Sequence, residues 1–315
     1  MYVEEARINV PVTNLLNNGG FEIWQRGSAF GYGGPAQVFT ADGWEMVVFT
    51  GDNMTVNRVT TSKSGDYAAT LAFTKGGSTS GRIRQGIQNL AKLAAQQTIY
   101  LTFCVWVKYT VANRIELWLG DYNGSSEEYE SSSPNGLTSD WQLLRVVKKL
   151  RSDLESNTLW PHDAEVLAEM RLTGTCSGLL VDNAMCVIGS YPAGIDYVPR
   201  HPARDWELAQ RYYEKQETAC RVGHYANVPG RTTFEGQKTL EVVRFQARKG
   251  QVPVVTLSSV SYPSGQTPRG VDAGLSVVST TEEQFIWEIR DNYGVAQDSD
   301  DVRNRATFGW AAEVH

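Results

Sequence analysis

Asn14-Leu15-Leu16-Asn17-Asn18-Gly19-Gly20-Phe21-Glu22-Ile23-Trp24-Gln25-Arg26-Gly27 places a turn signal, an aromatic stretch and an acidic residue within fourteen positions. Asn18-Gly19-Gly20 marks the turn, because Asn and Gly tolerate the backbone conformations that a sharp reversal needs. Phe21 to Trp24 reads as an aromatic strand that carries Glu22. Such an opening points to a β body, and the composition agrees. Nine Trp, fourteen Tyr and 29 Gly in 315 residues favour many short strands joined by turns over a helical bundle.

Working outward, strand periodicity is clearest from Tyr100 to Lys108. Leu101, Phe103, Val105 and Val107 fall on one face and Tyr100, Thr102, Cys104, Trp106 and Lys108 on the other. The next segment repeats the pattern, with Ile115, Leu117 and Leu119 opposite Glu116, Trp118 and Gly120. Trp106 and Trp118 therefore both belong to non-core faces. Ala68 to Phe73, Gly81 to Gln88, Trp141 to Val147, Ala164 to Thr173 and Ser177 to Val187 are further strands, bounded by turn residues, and their spacing suits an antiparallel sandwich. Asp140 to Leu154 also fits a capped helix, with Leu143, Val147, Leu150 and Leu154 at helical spacing; the adjacent β-branched Val146 and Val147 favour strand.

Three prolines between Pro192 and Pro202 mark a boundary. Beyond it, Asp205 to Lys215 forms the best helix in the chain, with Asp205 as N-cap, Leu208 and Tyr212 on one face and Glu207 and Arg211 as an i,i+4 pair. Strands return after Cys220, at Thr232 to Phe234, Leu240 to Ala247, Val252 to Val260, Leu275 to Thr280, Gln284 to Asp291 and Ala306 to Val314. The expected organisation is an N-terminal arm at 1–7, a jelly-roll β-sandwich at 8–195, a linker and short helix at 196–218, and a smaller C-terminal β-sandwich at 219–315.

The opening stretch, followed some twenty residues later by Asp42-Gly43-Trp44, resembles the start of a carbohydrate-binding jelly roll of the galactose-binding type. The segment Gly19 to Gly27, with Gln25 and Arg26 after the Trp, resembles more narrowly the versions carried on bacteriophage tail fibres and head fibres. Leu208 to Lys215, Val242 to Ser259 and Phe308 to His315 are similar to the C-terminal parts of phage tail and appendage proteins, where a helix leads into a terminal β domain. The resemblance implies a structural calcium held by a Glu and an Asp on the last strand of the jelly roll, matching Glu22 and Asp182 here. A carboxylate that is simply hydrogen-bonded is the alternative for both.

Composition closes off several function classes. With 29 Lys and Arg against 35 Asp and Glu, the chain has no general attraction to phosphate backbones, and Lys148-Lys149-Leu150-Arg151 reads as a solvated strand end or loop. Cys104, Cys176, Cys186 and Cys220 lack CxxC spacing, so no disulfide framework is expected. No run of eighteen apolar residues is present, and Met1 to Glu5 lacks a signal-peptide layout, so folding in a bacterial host cytoplasm and no membrane insertion are expected. His162, His201, His224 and His315 lack metal-ligand spacing, and no GxSxG elbow appears. Gly27 to Pro35 lacks the Lys of a nucleotide loop and reads as a turn. Glu127, Glu128 and Glu130 are close in sequence but read as a solvated acidic loop, so no enzyme activity is expected; a glycosidase pair assembled only in the fold is the rival.

Sugar rings offer flat C–H faces ringed by hydroxyls, so their binders combine exposed aromatic platforms with polar side chains. Trp106, Trp118, Tyr100, Lys108, Glu116 and Arg84, with Arg82, meet that description. The loop Asp121 to Glu130, with two tyrosines, is a second candidate surface, read first as a solvated hairpin. Trp206, Leu208, Tyr212 and Tyr213 expose more apolar surface than a short helix buries alone, which suits a homo-oligomer, with a trimer preferred. The expected function is that of a virion adhesion protein of a fibre or spike, binding host surface polysaccharide and other virion proteins. Two alternatives are a decoration or cement protein that binds only virion proteins and a polysaccharide depolymerase.

Overall fold

A computed structural model of the protein describes residues 12–77, 80–111, 114–132, 137–193, 195–222, 238–246, 248–249, 252–261, 274–290 and 304–313. The chain divides into two units, Met1–Trp206 and Glu207–His315. Unit 1 is a β-sandwich of jelly-roll type. Its strands are β1 (Ala29–Gly33), β2 (Ala36–Phe39), β3 (Glu45–Val48), β4 (Asn53–Val59), β5 (Ala68–Thr74), β6 (Gly81–Ile87), β7 (Tyr100–Lys108), β8 (Ile115–Tyr122), β9 (Glu127–Ser132), β10 (Gln142–Lys149), β11 (Val166–Leu172) and β12 (Cys176–Ile188), with a short helix α1 (Ala91–Gln96) before β7. One six-stranded antiparallel sheet runs β1-β4-β5-β12-β7-β10 and the other β2-β3-β6-β11-β8-β9. Consecutive strands β7 and β8 thus lie in different sheets.

The alternation predicted for β7 and β8 is observed: Leu101, Phe103, Val105 and Val107 face Ile115, Leu117, Leu119, Ala168 and Met170 in one continuous apolar core. The segment from Asp140 is strand β10, not helix. Cys104, Cys176 and Cys186 are free thiols buried like small apolar side chains.

The opening stretch is where the sequence reading is overturned. Residues 13–27 contain no strand; they form a folded plug at one edge of the core. Two buried asparagines explain it. Asn14 donates to the Ala184 carbonyl (3.0 Å) and accepts from the Leu16 and Cys186 amides (3.1 and 3.0 Å). Asn18, at φ 49°, accepts from the Ile23 amide (2.9 Å) and donates to the Ile23 and Asp42 carbonyls (2.8 and 3.1 Å). Side chains that satisfy backbone groups locally remove the need for a sheet partner. Phe21, at φ 54°, then stacks on Trp44 with ring centroids 5.0 Å apart. A register shift in β12 between Asp182 and Met185 exposes the Ala184 amide to Gly19, whose carbonyl accepts it at 2.8 Å. A Cβ at position 19 would sit 2.1 Å from the Ala184 oxygen, so glycine is required there.

Helix α2 (Pro202–Tyr212) starts three residues earlier than predicted. Pro202 occupies its first position, as suits a residue with no amide to donate, and the His201 carbonyl receives the Arg204 and Asp205 amides at 2.8 and 3.2 Å. Asp205 is therefore in the first turn and is not the N-cap.

Unit 2 holds two three-stranded antiparallel sheets. Strands β13 (Tyr213–Val222), β15 (Val254–Ser261) and β18 (Asn304–Glu313) form one in the order β13-β18-β15, and β14 (Lys238–Arg244), β16 (Gly274–Thr280) and β17 (Gln284–Arg290) the other in the order β14-β17-β16. The strand after α2 begins at Tyr213, inside the segment expected to be linker. A buried ion pair sits where α2 ends: Lys249 Nζ lies 2.7 Å from Glu214 Oε2, also donates to the Gln210 carbonyl, and is 4.7 Å from the Phe245 ring centroid. Phe245 and Phe285 pack 5.8 Å apart beneath it. The predicted strand at Thr232 to Phe234 and the arm at 1–7 lie outside the described residues.

Candidate functional site

The core side of the β2-β3-β6-β11-β8-β9 sheet is fixed by Met46, Val48, Ile83, Ile87, Val166, Met170, Leu117 and Leu119, so the intervening residues face away from the core. Strand register sets them in rows. One row runs Glu45, Arg84, Glu169, Trp118, Ser131 across five strands, and the next runs Val47, Arg82, Arg171, Glu116.

Trp118 and Tyr129 are half-buried on this face and meet edge to face at 5.2 Å. The Arg171 guanidinium lies 3.4 Å from the Trp118 ring centroid and 5.3 Å from that of Tyr129. Its Nε also bonds Glu169 Oε1, while Arg82 Nη1 stands 3.6 Å from Glu169 Oε2. Glu169 has no exposed surface, so the two arginines roof it. Arg84 Nε donates to Glu45 Oε2 at 2.5 Å, and Gln37 Nε2 to Glu45 Oε1 at 2.7 Å. Trp118 Nε1 donates to Glu116 Oε2 at 3.0 Å. The Tyr129 hydroxyl donates to Glu127 Oε2 at 2.6 Å, and burial together with that carboxylate raises its pKa. Burial lowers that of Arg82, against the opposing pull of Glu169.

One end of the face is closed by the segment between β10 and β11. Trp160 packs there with Ala164, Leu167, Tyr122 and Tyr129. Asn157 Nδ2 donates to Glu127 Oε1 (2.9 Å), Arg84 Nη2 to the Leu159 carbonyl (3.3 Å), and His162 stacks on Phe39 at 5.1 Å. Gly86 admits this segment: a Cβ there would lie 2.3 Å from the Pro161 oxygen.

The six residues proposed from sequence for glycan contact do not form one surface. Trp118, Glu116 and Arg84 lie on the face just described, with Arg84 buried beneath its pairing with Glu45. Tyr100, Trp106 and Lys108 lie on the outer side of the opposite sheet. Trp106 is half-buried like Trp118, with Lys63 Nζ 4.5 Å from its ring centroid and the Lys63 amide held by Asp182 Oδ2 at 2.6 Å. The loop Asp121 to Glu130 is a hairpin of β8 and β9, turned by Asn123 Oδ1, which accepts the Ser125 and Ser126 amides at 3.2 and 2.9 Å. Reading it as solvated missed Tyr129. Glu45, Glu169, Arg171 and Trp160 were also missed, although the alternation Leu167, Glu169, Arg171 in β11 was available to point outward.

Glu22 and Asp182 come together with the loop 62–67. Glu22 Oε1 accepts the Asp66 and Tyr67 amides at 3.0 and 3.3 Å. Asp182 accepts those of Lys63, Ser64 and Asn183 at 2.6, 3.3 and 2.6 Å. Burial raises the pKa of both, that of Asp182 to about 6, with the charge of Glu22 adding to it. A calcium ion needs six to eight oxygens around it. Here the loop turns N–H donors to both carboxylates, the hydrogen-bonded arrangement that was the alternative for them.

In the proposed oligomer patch, Trp206 is exposed and Leu208 half-buried. Tyr213 is buried and cannot contribute an exposed surface, and the Tyr212 side chain lies outside the described residues. Among the described residues no helix is long and apolar enough to cross a membrane.

No protein-family model matches the chain, and no curated protein matches it. Among solved structures it is similar to the enzymatically active domain of bacteriophage CBA120 tailspike protein 4, at 10% identity and TM-score 0.35 over 56% of this chain and 21% of that one. It is similar to the CBM22-1 xylan-binding domain of Paenibacillus barcinonensis Xyn10C at 13% identity and TM-score 0.35, over 57% of this chain and 97% of that one. The third is TmCBM61, determined with β-1,4-galactotriose, at 11% identity and TM-score 0.30, over 55% and 97%. The chain thus spans about a fifth of the tailspike structure it matches.

Proposed function

We propose that unit 1 is a non-catalytic glycan-binding module that uses the outer face of the β2-β3-β6-β11-β8-β9 sheet, and that the whole chain is an adhesion protein of a phage or phage-like particle, a tail fibre, head fibre or spike. One observation carries the glycan reading: Trp118 and Tyr129, packed edge to face at 67°, form a half-buried aromatic cluster with Arg171 on the outer face of the sheet, beside Glu116 and Arg82. A sugar ring needs that combination of flat apolar contact and flanking hydrogen-bond groups.

A binding role is preferred to a hydrolytic one because Glu45 and Glu169, the carboxylates in the central row, are each paired to arginine. Both are buried beneath those arginines, so neither carboxyl can reach the glycosidic oxygen of a bound sugar. The virion setting is supported by the sequence of the opening stretch and of the helix leading into unit 2. Many copies on a particle, as a homo-oligomer, would compensate for a shallow site by raising effective concentration.

The test is a glycan array and a host-capsule binding assay with purified protein and Trp118→Ala. Saturable binding that falls at least about tenfold in the variant, equivalent to about 1.4 kcal/mol, is the expected result. Binding unchanged by Trp118→Ala refutes the site, and silence on every glycan refutes the reading in favour of a cement role. New reducing ends released from the capsule would establish a depolymerase instead.

A further inference from the structure

We infer that the ligand of this face is an uncharged glycan, selected because the arginines there are already matched by carboxylates; this rests on the glycan-binding reading above. Three arginines, Arg82, Arg84 and Arg171, point out of the central strands, and three carboxylates, Glu45, Glu116 and Glu169, lie among them. Glu127 adds a further negative charge at the Tyr129 end.

Arg84 and Arg171 are committed by hydrogen bonds, and Arg82 is held by charge, its Nε and Glu169 Oε2 making no hydrogen bond among the described residues. Arg84 is buried and divides its guanidinium between Glu45 and the Leu159 carbonyl. Arg171 lies over the Trp118 ring while bonding Glu169. Arg82 approaches the same Glu169 and sits 4.8 Å over the Phe49 ring. Guanidinium groups that select uronates, sialates or phosphates present a free fork for bidentate pairing. Here an acidic sugar would have to compete with Glu169, whose carboxylate is sealed from water and has no other cation to turn to. Leaving a buried charge unpaired is strongly unfavourable.

A hydroxyl meets no such conflict. It donates to a carboxylate and accepts from a guanidinium at the same time, so it can bridge Glu116 and the outer N–H groups of Arg82 without separating any pair. A face of alternating, internally neutralised charges therefore favours hydroxyl-rich neutral polymers over polyanions.

The experiment compares unmodified protein on neutral polysaccharides (dextran, mannan, galactan) and acidic ones (alginate, polygalacturonate) at about 50 and about 500 mM sodium chloride. Binding confined to the neutral set, changing less than about twofold with salt, is expected. Retention on the acidic set that is lost at high salt overturns the charge inference while leaving glycan binding intact; no retention on either set overturns both. Glu169→Gln frees Arg82 and Arg171, and with folding verified by its thermal transition it should gain salt-sensitive binding to alginate of at least about fivefold. A folded Glu169→Gln with no such gain also overturns the inference. The comparison on unmodified protein stands whether or not that variant folds.

Discussion

Replacing Asn18 by alanine should cost unit 1 a large part of its stability. The amide of Asn18 makes three buried hydrogen bonds, to both backbone groups of Ile23 and to the Asp42 carbonyl, at 2.8 to 3.1 Å. Alanine would leave the three partner groups enclosed without a replacement, at about 1 kcal/mol or more each. It would also have to hold φ 49°, which Asn tolerates and Ala does not, for about 1 kcal/mol more. The sum is about 4 kcal/mol, a large fraction of the 5 to 15 kcal/mol typical of a folded domain. Seven of the nine tryptophans lie in unit 1, so guanidinium denaturation followed by tryptophan fluorescence reads that unit. Asn18→Asp keeps the acceptor and the backbone preference and should lie between wild type and alanine. A loss below about 1 kcal/mol for Asn18→Ala would show that the plug does not depend on this side chain, and the account of why residues 13–27 avoid strand would fall with it.

Trp106→Ala should leave glycan binding unchanged within about twofold while lowering unit 1 stability by about 1 kcal/mol or more, through loss of the Lys63 cation–π contact and of ring packing; glycan binding lost in this variant instead would put the site on the wrong sheet. Asp182, whose pKa rises to about 6, stabilises the fold most when protonated, so its contribution is complete below about pH 4 and is lost as pH rises through about 6. The two-unit gap bounds the effect at about 3 kcal/mol, and the stability of Asp182→Asn, measured by urea melts from pH 4 to 7, should change less with pH than that of wild type; parallel profiles contradict the assignment. Lys249→Met strands Glu214 in the interior of unit 2 and should destabilise that unit by about 3 kcal/mol in calorimetry, whereas an unchanged transition would mean that Glu214 is solvated in solution.

Strand alternation carried most of unit 1. β7 begins and ends where its pattern predicts, and β5, β6, β8, β10, β11 and β12 fall within a few residues of prediction. β4 was missed although buried Met54 and Val56 alternate with Asn53, Thr55 and Asn57, whereas β3 and β9 lack that pattern for physical reasons. β3 is buried at all four positions, including Glu45, whose charge is matched by Arg84, so no polar face alternates with an apolar one. β9 is built from Glu, Ser and Tyr, and its place at the sheet edge lets a polar segment pair with β8 on one side only. The opening stretch failed in the opposite direction, since its aromatic residues look like a strand until the two asparagines are seen to satisfy the backbone from within.

The site was legible only by halves, and Trp106 and Trp118 show why. Alternation says which side of its own strand a residue takes, but not which sheet that strand joins. β7 and β8 join different sheets, so two indoles with the same relation to the core end on opposite outsides of the sandwich. Each then meets a cation, with different consequences. Lys63 comes from a loop whose amides are held by Asp182 and Glu22, so Trp106 becomes the floor under a fixed segment. Arg171 comes from the adjacent strand and is aligned by Glu169, which makes Trp118 part of an outer surface built wholly from sheet positions. Partners for that surface come from β3, β6, β8, β9 and β11, stretches of sequence separated by up to 126 positions between Glu45 and Arg171. What brings these residues together on one face is the row register, a property that no single segment of the chain contains.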